Sequence, residues 1–86
     1  MLRPKMSNER TLMKGRLADT EQQLENIELE ADNLVLTVRQ KIDPLLNLEE
    51  MDIKRAHNAM NNLAALRAEY DAKTELKAKL EDRLYG

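Results

Sequence analysis

His57 is the one histidine of this 86-residue sequence, and an acid–base or metal site would need several titratable side chains to converge near it. Glu50 lies two helical turns before it, and the two side chains can share one face of a helix. Carboxylate metal sites in helical bundles use Glu-x-x-His pairs, however, and neither that spacing nor a His-Glu-x-x-His motif occurs. We therefore expect no metal site, and we interpret His57 and the neighbouring Asn58, Asn61 and Asn62 as a solvated surface.

Other kinds of reactive site are also poorly supported. The chain has no cysteine, which excludes a thiolate zinc site, and its two glycines are too few for a phosphate-binding loop. We predict that Arg67 makes an interhelical ion pair near Glu21 and Glu25. Small helical chorismate mutases have a similar length, but they hold a dicarboxylate among several inward-pointing cations, and the pattern described below is apolar. We expect no enzyme and no cofactor.

The composition indicates long helices. Ala, Leu, Glu, Lys, Arg, Gln and Met fill 56 of the 86 positions, whereas Val, Ile and Thr together fill nine. From residue 13 to residue 38, apolar residues recur with alternating spacings of four and three, which predicts a first helix over about 8–41 with one continuous apolar seam. Seven of its eight seam positions are apolar; they are Met13, Leu17, Thr20, Leu24, Ile27, Ala31, Leu34 and Val38.

Pro44 ends this helix, because proline disfavours helical geometry in the residue before it. Asn47 and Glu50 have the spacing of a capping box, which predicts a turn over 42–47 and a second helix over about 48–85. Asp43 can alternatively cap a single helical turn up to Leu46. The predicted fold is all-α: a flexible extension over 1–6, then one domain over 7–86 in which two antiparallel helices form a hairpin that dimerises into a four-helix bundle.

A turn centred near residue 45 also predicts which residues face each other across the hairpin. In this register Ile27 lies opposite Leu63, and Thr20 lies opposite Tyr70 in a polar layer that fixes the alignment. Leu29 and Leu36 fall on the other side of the first helix and leave an apolar stripe in water, which a second copy or another protein's helix can cover. The predicted seam and interface residues are Leu17, Leu24, Ile27, Leu29, Leu34, Leu36, Val38, Ile53, Met60, Leu63, Leu66 and Leu80.

The charge is unevenly distributed although the net charge is only −2. Residues 1–16 sum to +4, residues 17–53 to −8 and the rest to +2. We interpret this as complementary ends that orient hairpins against each other, which predicts an oligomer that weakens in high salt. The alternative is a nucleic-acid-binding regulator, whose hairpin-dimer plan resembles the Rop-type plasmid RNA-binding bundle in architecture only. Its predicted contacts are Arg3, Lys5, Arg10, Lys14, Arg16, Lys73, Lys77, Lys79 and Arg83.

The sequence thus favours a non-catalytic protein–protein interaction or scaffolding module that acts by self-association and partner binding. Small accessory proteins of phages and plasmids commonly act in this way. No segment approaches the roughly 20 apolar residues that a membrane span requires, and the first residues lack the apolar run of a signal peptide. We therefore expect a cytoplasmic protein without a membrane partner.

Overall fold

The computed structural model describes residues 4–86, and side chains from residue 8 onward. Helix α1 spans Pro4–Lys41 and helix α2 spans Ile53–Tyr85, with a single 3-10 turn over Leu48–Glu50 between them. The two helices pack against each other as an antiparallel hairpin, a rod of 73 × 16 × 14 Å. The described part of the chain contains no strand. The predicted helical hairpin is confirmed.

Helix α1 ends where the sequence predicts and begins earlier. Lys41 is its last residue, and Arg39 and Lys41 lie in the last turn, where cations interact favourably with the helix dipole. Its first residue is Pro4, inside the segment 1–6 that we expected to be a flexible extension, and residues 1–3 lie outside the described part. Proline suits the first position of a helix because the missing N–H has no helical partner there.

The connection between the helices is longer than predicted. The Asp43 carboxylate accepts a hydrogen bond from the Leu45 N–H at 2.8 Å, and the Asp43 carbonyl accepts one from the Leu46 N–H at 2.9 Å. Asp43 therefore organises a turn over 43–46, the alternative that the sequence left open. The Asn47 N–H then donates to the Glu50 carboxylate at 2.9 Å. The predicted capping box of Asn47 and Glu50 therefore belongs to the 3-10 turn, and α2 does not begin there.

Helix α2 begins five residues later than the prediction of residue 48. Met51 is extended, with φ of −78° and ψ of 129°, so the 3-10 turn stops there. The Asp52 carboxylate then accepts the Arg55 N–H at 3.0 Å and caps α2. The predicted turn over 42–47 is therefore wrong: two capping sequences follow one another, and the second one starts the helix.

One seam of side chains holds the two helices together. Its most buried members, each at most 9% exposed, are Leu17, Thr20, Leu24, Ile27, Ala56, Ala59, Leu80 and Leu84. Half-buried side chains occupy the other positions of this seam on both helices; they are Met13, Ala31, Leu34, Val38, Leu63, Leu66, Tyr70, Lys73 and Lys77. The α1 seam is the one predicted. From residue 8 onward no side chain is less than 2% exposed, so the core is thin.

The α2 seam differs from the prediction at its beginning. Ile53 and Met60 are 53% and 55% exposed, whereas Ala56 and Ala59 are buried at 3% and 4%. The prediction that Ile53 and Met60 belong to the hairpin seam is therefore wrong. The two helices are tied together here by a backbone hydrogen bond of 3.2 Å from the Asp52 N–H to the Lys41 carbonyl, and small residues permit that close approach.

Each residue of α1 faces a residue of α2 that lies seven positions, or one heptad, later in the chain than the predicted register gives. Leu17 packs with Leu80 and Leu84, and the Tyr70 hydroxyl donates to the Glu28 carboxylate at 3.2 Å. The predicted polar layer of Thr20 and Tyr70 is therefore wrong. The cause is the longer connection, because each residue added to a loop moves every later residue of α2 relative to α1.

Candidate interaction surfaces

An exposed apolar surface lies on the half of the hairpin nearest the connection. The predicted stripe is exposed, with Leu29 at 59% and Leu36 at 53%. Four further residues that are 40–55% exposed extend this surface onto α2. We call this set the apolar face; it consists of Leu29, Val35, Leu36, Ile42, Ile53 and Met60.

The backbone explains why α1 and α2 share this face. Lys41 and Asp52 are hydrogen-bonded to each other, and Ile42 and Ile53 are the next residues in the chain. Val35 lies on α1 two turns before Ile42, the residue that follows the helix, and Met60 lies two turns after Ile53 on α2, so each pair continues one line along the rod. The seven-residue spacing of these pairs is visible in the sequence, and the observed register decides which residues of the two lines lie side by side.

The same lines become polar toward the open end of the hairpin, where α1 begins and α2 ends. Glu28 and Glu21 continue the line of Ile42 and Val35 at seven-residue steps, and each contacts α2. Glu28 accepts the Tyr70 hydrogen bond, and the Glu21 carboxylate pairs with the Lys77 ammonium at 3.5 Å. The apolar face therefore covers only the half of the rod next to the connection.

A shallow apolar groove of about 190 Å³ lies where the apolar part gives way to the polar part. Ile27, Ala31, Leu63 and Leu66 contribute its apolar lining, beside Tyr70. Its charged border includes Glu28 and Arg67. Arg67 pairs with Asp71 at 3.1 Å, one turn along α2, so its predicted ion pair with Glu21 or Glu25 is wrong.

Two charged side chains lie between the apolar lines of α1. On a helix, Asp32 and Arg39 fall between the line of Val35 and Ile42 and the line of Leu29 and Leu36. Both are exposed, and neither makes an ion pair with any residue that the structure describes. The apolar face thus carries one anion and one cation, two turns apart.

The basic residues at the open end are only partly grouped. Arg16 and Arg83 line one groove of about 530 Å³ together with Glu9, and Lys79 lies in an adjoining groove. Lys77 is paired with Glu21, and Lys79 is paired with Glu75 at 3.4 Å. Arg3 and the side chain of Lys5 lie outside the described part. Contact of these cations with nucleic acid stays a prediction.

The connection is itself exposed. Leu45 is 91% and Leu48 is 75% exposed, among Asp43, Glu49 and Glu50. His57 and the nearby asparagines are also exposed, as the interpretation of a solvated surface requires.

Within residues 4–86, no group of three or more His, Asp or Glu side chains is placed to hold a metal ion. Neither long helix is apolar enough to cross a membrane.

Comparison with known proteins gives no match to a family, to a characterised protein or to a solved structure.

Proposed function

We propose that the chain is a non-catalytic helical interaction module of the cytoplasm that self-associates through the apolar face. The observation that carries this proposal is the apolar face, six apolar residues of both helices and the connection that are each 40–59% exposed. Isolated exposed leucines are ordinary on a protein surface. Two lines of apolar side chains that run side by side on adjacent helices are a different case, because a second layer of helices can cover them together.

The thin core supports the same conclusion. Seven apolar residues are buried among those whose side chains the structure describes, and a chain of this length gains only a few kcal/mol of net stability from a single core. Small domains add disulfides, metals or partner copies to compensate. This chain has no cysteine with which to form a disulfide. Covering the apolar face with a second hairpin would give four helices around a larger core, as in a helical bundle.

The test is a pair of matched double variants measured by light scattering. Leu29→Lys/Leu36→Lys places two charges on the apolar face, and we expect the dimer dissociation constant to rise at least tenfold, because charges would be buried without partners. Asn33→Lys/Gln40→Lys adds the same two charges, also seven residues apart, at exposed polar positions of α1. We expect this control to associate like the wild type.

Equal dissociation constants for the two variants would exclude the apolar face as the interface. A wild type that stays monomeric would show that the face binds a different protein or none. In either case the proposal of self-association through this face would fail.

A further inference from the structure

We infer that the occupant of the apolar face is a second copy of this chain, packed antiparallel about a two-fold axis near Val35 and Met60. This inference rests on the proposed function and adds the geometry of the contact. It starts from the two unpaired charges on the face, Asp32 and Arg39, and from the position of the apolar face on the half of the rod next to the connection. Three more apolar residues are exposed toward the open end, but they lie on none of the lines that form the face; they are Leu12, Leu76 and Tyr85.

A two-fold axis imposes a simple rule on facing residues. When two copies of one helix cross antiparallel at a common centre, a residue before the centre lies opposite the residue equally far after it. With the centre between Val35 and Leu36, Asp32 lies opposite Arg39 of the second copy, and the second Asp32 lies opposite the first Arg39. Each copy then supplies both partners of two identical ion pairs.

The apolar residues obey the same centre. Leu29 comes opposite Ile42 of the second copy, and Val35 comes opposite Leu36, so apolar side chains meet apolar side chains. Met60, which the register places beside Val35, comes close to its own copy near the axis. The packing is therefore complementary in both charge and polarity.

Other arrangements of two copies fit less well. A parallel arrangement in which each residue meets its own copy would oppose Asp32 to Asp32 and Arg39 to Arg39, so like charges would repel. A complete antiparallel overlap of the rods would place the apolar half of one copy on the line of Glu21 and Glu28 in the other. The centre near Val35 joins only the halves that carry the apolar face and leaves the open ends in water.

The charges make this geometry testable without altering the apolar residues. Asp32→Lys opposes a lysine to Arg39 of the second copy, and Arg39→Glu opposes a glutamate to Asp32. We expect each variant alone to raise the dimer dissociation constant on the order of tenfold at low salt. We expect an equimolar mixture of the two variants to recover wild-type affinity, because both ion pairs of the mixed dimer are again of opposite charge. The measurement is sedimentation velocity at low salt and at about 1 M salt, where screening should remove most of the difference.

Glu30→Lys is the matched control, because it makes the same change of charge at an exposed position of α1 outside the apolar face. We expect it to associate like the wild type. Wild-type affinity of Asp32→Lys, or a mixture no tighter than the separate variants, would overturn the antiparallel geometry. If Leu29→Lys/Leu36→Lys still weakened the dimer in that case, self-association through the face would stand and only the geometry would fall.

Discussion

Thr20 shows how a polar residue is accommodated in the seam of this hairpin. Its side chain is 3% exposed, and its hydroxyl donates to the Arg16 carbonyl of its own helix at 2.8 Å. The hydroxyl is therefore satisfied without a partner on α2. The heptad pattern predicted that Thr20 is buried, but it could not identify the bonding partner, because a threonine in a helix can always turn to the carbonyl four residues earlier.

Replacing Thr20 with valine tests this local arrangement. The Arg16 carbonyl keeps its bond from the helix backbone, so no buried polar group is left unpaired, and one more methyl group is buried. We expect Thr20→Val to raise the free energy of unfolding by up to about 1 kcal/mol in urea denaturation, with no change in oligomeric state.

Thr37→Val is the control for this prediction, because the Thr37 hydroxyl makes the same kind of bond, to the Asn33 carbonyl at 3.1 Å, at a less buried position. We expect it to give a smaller gain. A loss of more than about 1 kcal/mol in Thr20→Val would mean that the hydroxyl has a tertiary role that the structure does not show.

At the scale of the elements, the sequence predicted α1 well and the start of α2 poorly. In α1 an apolar residue recurs at every third or fourth position and the pattern stops shortly before Pro44, so the sequence determines both the seam and the end of this helix. For α2 the sequence predicted one cap, at Asn47, whereas the structure also uses Asp52, and it is Asp52 that starts the helix. Met60 and Ala59 both fit a helical spacing before Leu63, so periodicity alone could not choose between them. The structure places Ala59 in the seam and leaves Met60 exposed, which follows from the longer connection.

Pairs of introduced cysteines test the register, since the chain has no cysteine of its own. The observed register places Thr20 beside Lys77, next to the ion pair of Lys77 with Glu21. Tyr70 lies seven residues away along α2, about 10 Å farther. We expect Thr20→Cys/Lys77→Cys to form an intrachain disulfide on mild oxidation, as seen by faster migration without reductant, and Thr20→Cys/Tyr70→Cys to form none.

The opposite result would be a crosslink in Thr20→Cys/Tyr70→Cys and none in Thr20→Cys/Lys77→Cys. It would support the shorter connection and the register predicted from the sequence. It would also shift the two lines of the apolar face along each other by one heptad, about 10 Å, because Val35 would then lie beside Ile53 and not beside Met60. The proposed interface therefore depends on this register.

At the scale of the whole molecule, the hairpin is a rod with a thin seam and one uncovered apolar half. The exposed stripe of Leu29 and Leu36 could be predicted from the sequence, because both residues lie opposite the α1 seam. The contribution of Ile53 and Met60 could not, because the sequence assigned both of them to the seam itself. Their exposure turns a narrow stripe on one helix into a surface that spans two.

The central claim is that this surface is covered by a second copy, and sedimentation equilibrium of the unaltered chain tests it most directly. The single chain has a mass of 10.0 kDa. We expect the average mass to rise with protein concentration, over the micromolar to millimolar range, from that value to twice that value and to level off there. A mass of one chain at every concentration would contradict the account.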